Sequence, residues 1–212
     1  MRIGVAVDND LNDDKRVLKE IDILKEAGHK VFVLCYGFDS KKYLTTGDYS
    51  INRIRISKKL KNTLFFLLNT IPVYEWMWSR RIRSFITENS IDILHVHDLY
   101  MSRAAANGIK KTGLSIPLVL DLHENYPFAV TSYNWTKGFL RNMIARPLAW
   151  RRKEGEYLGY ASKIVVLSED FRDLLTTRYP ALKKERFTVF PNVPDLLKTP
   201  SASIATTAIS PD

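Results

Sequence analysis

Two histidine-bearing stretches carry the residues best suited to chemistry. In PLVLDLHENY an apolar run, Leu118 to Leu120, reaches Asp121 and then delivers His123 and Glu124 before a Pro-containing loop. An imidazole titrates near neutrality and a neighbouring carboxylate shifts that titration, so the pair suits positioning or proton transfer at a reacting group. In DILHVHD, His95 and His97 alternate along a strand and share one face, which is metal-ligand spacing. With no third ligand in view, the reading preferred is a strand-core His95, with His97-Asp98 forming a turn and helix cap, and no metal is expected. Asp121 is equally readable as a strand-end carboxylate accepting backbone bonds or as a functional acid.

These residues need a scaffold that brings strand ends together. Arg2 to Val7 reads as a buried strand, and a helix follows from Asp13 and Asp14, with Val17, Ile21 and Leu24 on one face and Gly28 as its left-handed cap. Val31 to Tyr36 is a second strand, completing a β-α-β unit whose crossover is right-handed and parallel. Ile51 to Ile56 alternates like an edge strand. Lys58 to Asn89 is mostly helical, punctuated by Pro72. A strand at 91–96 and another from Leu118 to Asp121 flank a helix that ends before Gly113. Phe139 to Tyr160 has helical spacing that Pro147 splits, Ser168-Glu169-Asp170 starts a helix, and strands fall at 164–167 and 187–190.

Strands alternating with helices specify a doubly wound, mostly parallel α/β sheet of about seven strands with helices on both faces. Ligands of such sheets bind at the carboxyl ends of the strands, near the reversal in strand order. Four loops gather there: Asp8 to Asp14, His97 to Tyr100, His123 to Tyr126, and Ser168-Glu169.

Composition narrows the chemistry further. The chain has 212 residues, 45% of them hydrophobic, enough to bury one full core. A formal charge of +9 points to an anionic partner. The single cysteine, Cys35, excludes an internal disulfide framework and fits a reducing compartment. Where a dinucleotide-binding G-x-G-x-x-G would follow the first strand there is DNDLNDDKR, and phosphate-loop, H-E-x-x-H, C-x-x-C and G-x-S-x-G patterns are absent. No recognised nucleic-acid module accompanies the charge, so nucleic acid is not expected as a partner.

Five segments in order resemble the N-terminal domain of GT-B glycosyltransferases of family four: MRIGVAV; DKRVLKEIDILKEAGHKVFVL; DILHVHD; LVLDLHENYP; and KIVVLSEDF followed by FTVFPNVPD. The resemblance spans Met1 to Asp195. It implies one half of a GT-B architecture, with a Rossmann-like acceptor-side domain over residues 1–192. Residues 193–212 would then lead toward a second domain that supplies most nucleotide contacts, so this chain by itself is expected to be inactive or nearly so. The implied reaction is a retaining transfer, without a metal, from a nucleotide-sugar to a glycan or lipid-linked acceptor, the donor phosphate helping to take the acceptor proton. His123 would contact the transferred sugar as the catalytic-site residue. Asn9, Arg16, Asp98, Glu124 and Tyr126 would bind substrate, Arg16 and its loop facing the donor phosphates, although the glycine pair of many relatives is missing from that loop. Ser168, Glu169 and Asn192 would face the donor side and the second domain. A non-catalytic domain holding a phosphorylated or lipid-linked ligand, and half of a GT-B sugar-nucleotide epimerase, are the alternatives.

A basic, aromatic segment suggests where the protein works. Lys58, Lys59, Lys61, Arg80 and Arg81 bracket Phe65, Phe66, Trp76 and Trp78, a pattern suited to an anionic bilayer surface and equally to a helix packing its aromatics on the sheet. Lys137, Arg141, Arg146, Arg151, Arg152 and Lys153 add a second basic region. The resemblance favours a cytoplasmic enzyme peripheral to the inner face of the membrane, since many relatives glycosylate lipid-linked acceptors.

Overall fold

The computed structural model describes residues 1–12, 14–38 and 49–191. Strand β1 (Arg2–Ala6) is followed by α1 (Lys15–Glu26), β2 (Lys30–Gly37), β3 (Ser50–Arg55), α2 (Lys58–Phe66) and α3 (Val73–Asn89). Then come β4 (Ile93–His97), α4 (Ser102–Lys110), β5 (Leu118–Leu122), α5 (Tyr126–Ala129), α6 (Phe139–Ala145), α7 (Trp150–Gly159), β6 (Lys163–Val166), α8 (Glu169–Arg178) and β7 (Phe187–Val189). All strand pairs are parallel, in the order β3-β2-β1-β4-β5-β6-β7. The chain therefore reverses direction across the sheet at β1 and β4, and their carboxyl ends open the crevice where such folds bind ligands.

Local chemistry accounts for the boundaries. Asp14 accepts from the Val17 amide to cap α1, Ser57 caps α2, and Ser168 caps α8 through the Phe171 amide. Gly28, at φ +79°, ends α1 in the left-handed region that glycine adopts without steric cost. The helical stretch after Phe139 breaks at Arg146 (φ 47°) and Pro147, giving α6 and α7 separately, as the proline requires.

Two apolar layers sandwich the sheet. On one side α1 sets Val17 and Ile21 against Val5, Val31 and Val33, with Cys35 in the same layer. On the other, α3, α4 and α7 bury Trp78, Ile82, Ala105 and Tyr157 against Leu94, Val96, Leu120 and Ile164. The acids enclosed in this larger core are paired: Glu75 of α3 accepts from Arg103 of α4 and, at 2.5 Å, from the Tyr157 hydroxyl, and Glu154 accepts from Arg178 at 2.7 Å.

Trp78 is fully buried, so it leaves the membrane-facing set expected from sequence; the helical face that carries it points at the sheet. Phe65 is half-buried, its ring edge-on to Tyr74, Tyr100 and Trp135, and Phe66 meets Trp135. Lys61 turns inward to Asp8 at 3.1 Å. Lys58, Lys59, Trp76, Arg80 and Arg81 remain exposed. Among the described residues no helix is long and apolar enough to cross a membrane.

Candidate functional site

Strand ends β1, β4 and β5 deliver the site. Beyond β1 the chain turns sharply. Asn9 accepts from the Leu11 amide at 2.7 Å and donates to Asp14 at 2.7 Å, so it organises the loop that feeds α1. Leu11 sits at φ 68° and Asp98, just past β4, at φ 71°. Non-glycine residues in this region are uncommon and store strain, and both flank the switch in strand order.

Three imidazoles stack in a row from the middle of the sheet to its edge. His95 and His97 rings are 4.8 Å apart and His97 and His123 rings 5.0 Å apart, the latter pair tilted by only 8°. His97 Nδ1 and His123 Nε2 share a hydrogen bond of 2.7 Å. His123 Nδ1 stands 3.9 Å from Asp121 Oδ1, beyond hydrogen-bond range. Burial lowers the pKa of all three, so neutral imidazoles are favoured here even with Asp121 beside them.

A small cavity of about 20 Å³ joins Arg16, Lys19, Glu20, Asp121 and His123 to Leu167, Phe190 and Pro191. It brings together two expected site residues, Arg16 and His123, and adds Glu20, Lys19 and Phe190, which sequence reasoning passed over. Glu20 lies mid-helix in an otherwise ordinary polar face. Its register against β4 was the missing signal, since α1 points it at the histidines.

Asp98 and Tyr126 fall in a second group, gathered with Asp8 around Tyr100 beyond the end of β4. The Tyr100 hydroxyl lies 3.0 Å from both Asp8 and Asp98, and Tyr74 also donates to Asp8. One hydroxyl donates one proton, and burial pushes Asp98 up to about 7 and raises Asp8 as well. Glu124 accepts from the Tyr133 hydroxyl at 2.6 Å, which pins the loop after β5. Tyr126 is buried between Tyr100 and Trp150. Ser168 is occupied as the α8 cap, while Glu169 is 73% exposed and reaches Arg172 at 3.5 Å. Asn192 lies outside the described residues.

The family model of Glycosyltransferase Family 4 matches residues 17–196. No curated protein sequence matches the chain. Similar solved structures include the lipopolysaccharide outer core galactosyltransferase WaaB in its apo form, at TM-score 0.56 and 13% identity, covering 91% of this chain and 46% of that one. A sucrose-phosphate synthase from Thermosynechococcus elongatus aligns at TM-score 0.58 and 12% identity, covering 90% and 48% respectively. Acinetobacter baumannii MurG aligns at TM-score 0.53 and 12% identity, covering 91% and 45%. The chain thus spans about half the length of the solved structures it matches. On the family match and on a seven-stranded parallel sheet laid out as in these neighbours, the chain belongs to glycosyltransferase family 4 and is a Rossmann-like half of the GT-B fold.

Proposed function

We propose that this chain forms the acceptor-side wall of a retaining glycosyltransferase that moves a sugar from a nucleotide-sugar to a glycan or lipid-linked acceptor. The observation that carries the reading is the juxtaposition, at the carboxyl edge of the sheet, of Arg16 and Lys19 with Asp121 and His123 around one cavity. Departure of a nucleoside diphosphate concentrates negative charge, and cationic groups fixed near it stabilise the transition state. In this reading Arg16 and Lys19 face that charge. His123, held through Nε2 by His97, offers Nδ1 to a hydroxyl of the transferred sugar. The donor phosphate takes the acceptor proton, and no metal enters the transfer. The cavity is far too small for a sugar, which fits a wall whose opposite side is a second, nucleotide-binding GT-B domain. Ser168 and Glu169 would lie toward that domain, and Asp98 and Glu124 would line the acceptor path, with the buried Tyr126 packed behind them.

An anionic bilayer surface belongs to the same proposal, centred on α6. Phe139 is 84% exposed and Leu140 66%, with Met143 and Leu148 also exposed; Lys137, Arg141 and Arg146 stand exposed among them. Apolar side chains interleaved with cations are what an interfacial site on acidic lipid requires. Asn69 donates to the Ala145 carbonyl at 2.9 Å and Thr70 to that of Ile144 at 2.5 Å, so the turn after α2, with exposed Ile71 and Val73, is fastened beside α6. The bilayer face thereby includes the turn after α2, with α6 as its apolar centre. The enzyme would work at the cytoplasmic face of the membrane.

The test is acceptor dependence. The complete gene product is incubated with a panel of nucleotide-sugars, with and without lipid extracted from its source membranes. Consumption of one nucleotide-sugar only when lipid or glycan acceptor is present supports transfer. Acceptor-independent release of free nucleotide with an epimerised sugar, or no consumption at all, would overturn it.

A further inference from the structure

Strand β4 turns Leu94 and Val96 toward the large core and, by strand alternation, His95 and His97 toward the opposite face. Over that face α1 brings Glu20, and β5 brings Asp121, whose Cα is in register with His97. One ligand atom from each of Glu20, His95, His97 and Asp121 lies within 4.8 Å of the others. Glu20 Oε2 is 3.6 Å from His97 Nε2 and 3.9 Å from His95 Nε2, and Asp121 Oδ2 is 4.0 Å from His95 Nε2. These separations are too long for hydrogen bonds.

The donor atoms are also orphans. The side chains of His97 and Asp121 are each 3% exposed. Glu20 Oε2, His95 Nε2 and His97 Nε2 are buried with no hydrogen-bond partner. Buried polar atoms are nearly always satisfied, and three orphans converging on one point call for a shared partner.

We infer that Glu20, His95, His97 and Asp121 form a binding site for one divalent transition-metal ion of the zinc class. Two imidazole nitrogens and two carboxylate oxygens make a tetrahedral set of the kind zinc accepts, and their charge balances a dication. Donors about 2.0–2.2 Å from a tetrahedral ion lie about 3.3 Å apart, so sub-ångström side-chain shifts close the set. Magnesium and calcium fit poorly, because they take six or more ligands, nearly all oxygen. Four protein ligands complete the tetrahedron, which makes the site structural, separate from the metal-free sugar transfer. The site also completes a pattern seen around metal-bound histidines. With Nε2 on the ion, His97 donates its Nδ1 hydrogen to His123 Nε2, which fixes the tautomer of both rings.

The site is tested with zinc and cobalt alone on the untagged, chelator-treated chain. Calorimetry is expected to give one equivalent of zinc, and cobalt the intense visible absorption of a tetrahedral complex. Glu20→Gln and His95→Gln should each weaken binding at least ~100-fold. His29→Gln, past the end of α1 and outside the four-residue cluster, should leave it unchanged. A Glu20→Leu/His95→Leu double variant replaces the orphan polar groups with apolar ones and should fold, by circular dichroism, yet show no cobalt absorption. Failure of the wild-type chain to bind beyond the level of this double variant, or loss of binding in His29→Gln instead, would overturn the inference. Should the polar variants fail to fold, an anomalous-difference peak at the zinc edge among these four side chains decides for the site, and its absence from zinc-soaked crystals against it.

Discussion

His97 Nδ1 and His123 Nε2 lie 2.7 Å apart, with their rings stacked nearly parallel across neighbouring strands β4 and β5. The bond commits one nitrogen of His123, a residue of the cavity wall, to the protein, and in the proposed function His97 acts as a positioning residue for it. His97→Leu in the complete enzyme is expected to lower kcat about tenfold or more while KM changes little, and His97→Asn, whose amide can still donate, should recover part of the loss. His95→Leu removes a proposed metal ligand but keeps this bond, so steady-state rates of the three variants separate positioning from metal support.

A second expectation concerns Asp8, enclosed by Lys61, Tyr74 and Tyr100. Burial raises its pKa while the Lys61 charge lowers it. Because the folded pKa exceeds the unfolded one, the native state holds more protons, and stability falls as pH rises from the unfolded value through the folded one. Lys61→Met leaves the carboxylate without a counter-charge and widens that window. Thermal melts should show a loss of about 3 kcal/mol at pH 8 and a smaller loss at pH 5.

Close packing between α3 and α4 yields a third. A Cβ on Gly108 would meet Ile82 Cγ2 at 2.7 Å and the Ser79 carbonyl at 3.0 Å. The backbone cannot give way as a flexible side chain does. Gly108→Ala is expected to cost about 1–3 kcal/mol in denaturant unfolding.

Cys35 is fully buried and its thiol is pushed up to about 12. Native protein at pH 8 should resist maleimide labelling, and labelling should appear only with unfolding.

Vesicle binding tests the bilayer face. Vesicles containing acidic lipid should retain the chain and release it at high salt, and Phe139→Ser/Leu140→Ser should abolish retention, whereas Trp76→Ser, exposed on α3 rather than α6, should change it less.

The sheet and the strand-end loops were legible in the sequence because each buried strand is a short apolar run and α1 and α8 carry their own caps, at Asp14, Gly28 and Ser168. What a single sequence conceals is side-chain convergence between elements far apart in the chain. Glu20 and Asp121 flank His95 and His97 only because α1 crosses above β4 and β5 pairs beside it, so the third and fourth ligands could not be read from DILHVHD. Trp78 failed for a related reason: composition marked α3 as basic and aromatic, but helix phase decides which aromatics meet the sheet. The exposed apolar face at α6 likewise escaped notice, since Leu140, Met143 and Leu148 have the spacing of a core-facing stripe.

The most direct measurement is sugar transfer by His123→Ala in the complete gene product, with wild-type and variant shown to be equally folded. A fall of at least ~100-fold in the rate of acceptor glycosylation is expected if the imidazole holds the reacting sugar. Turnover near that of the wild type would contradict the account.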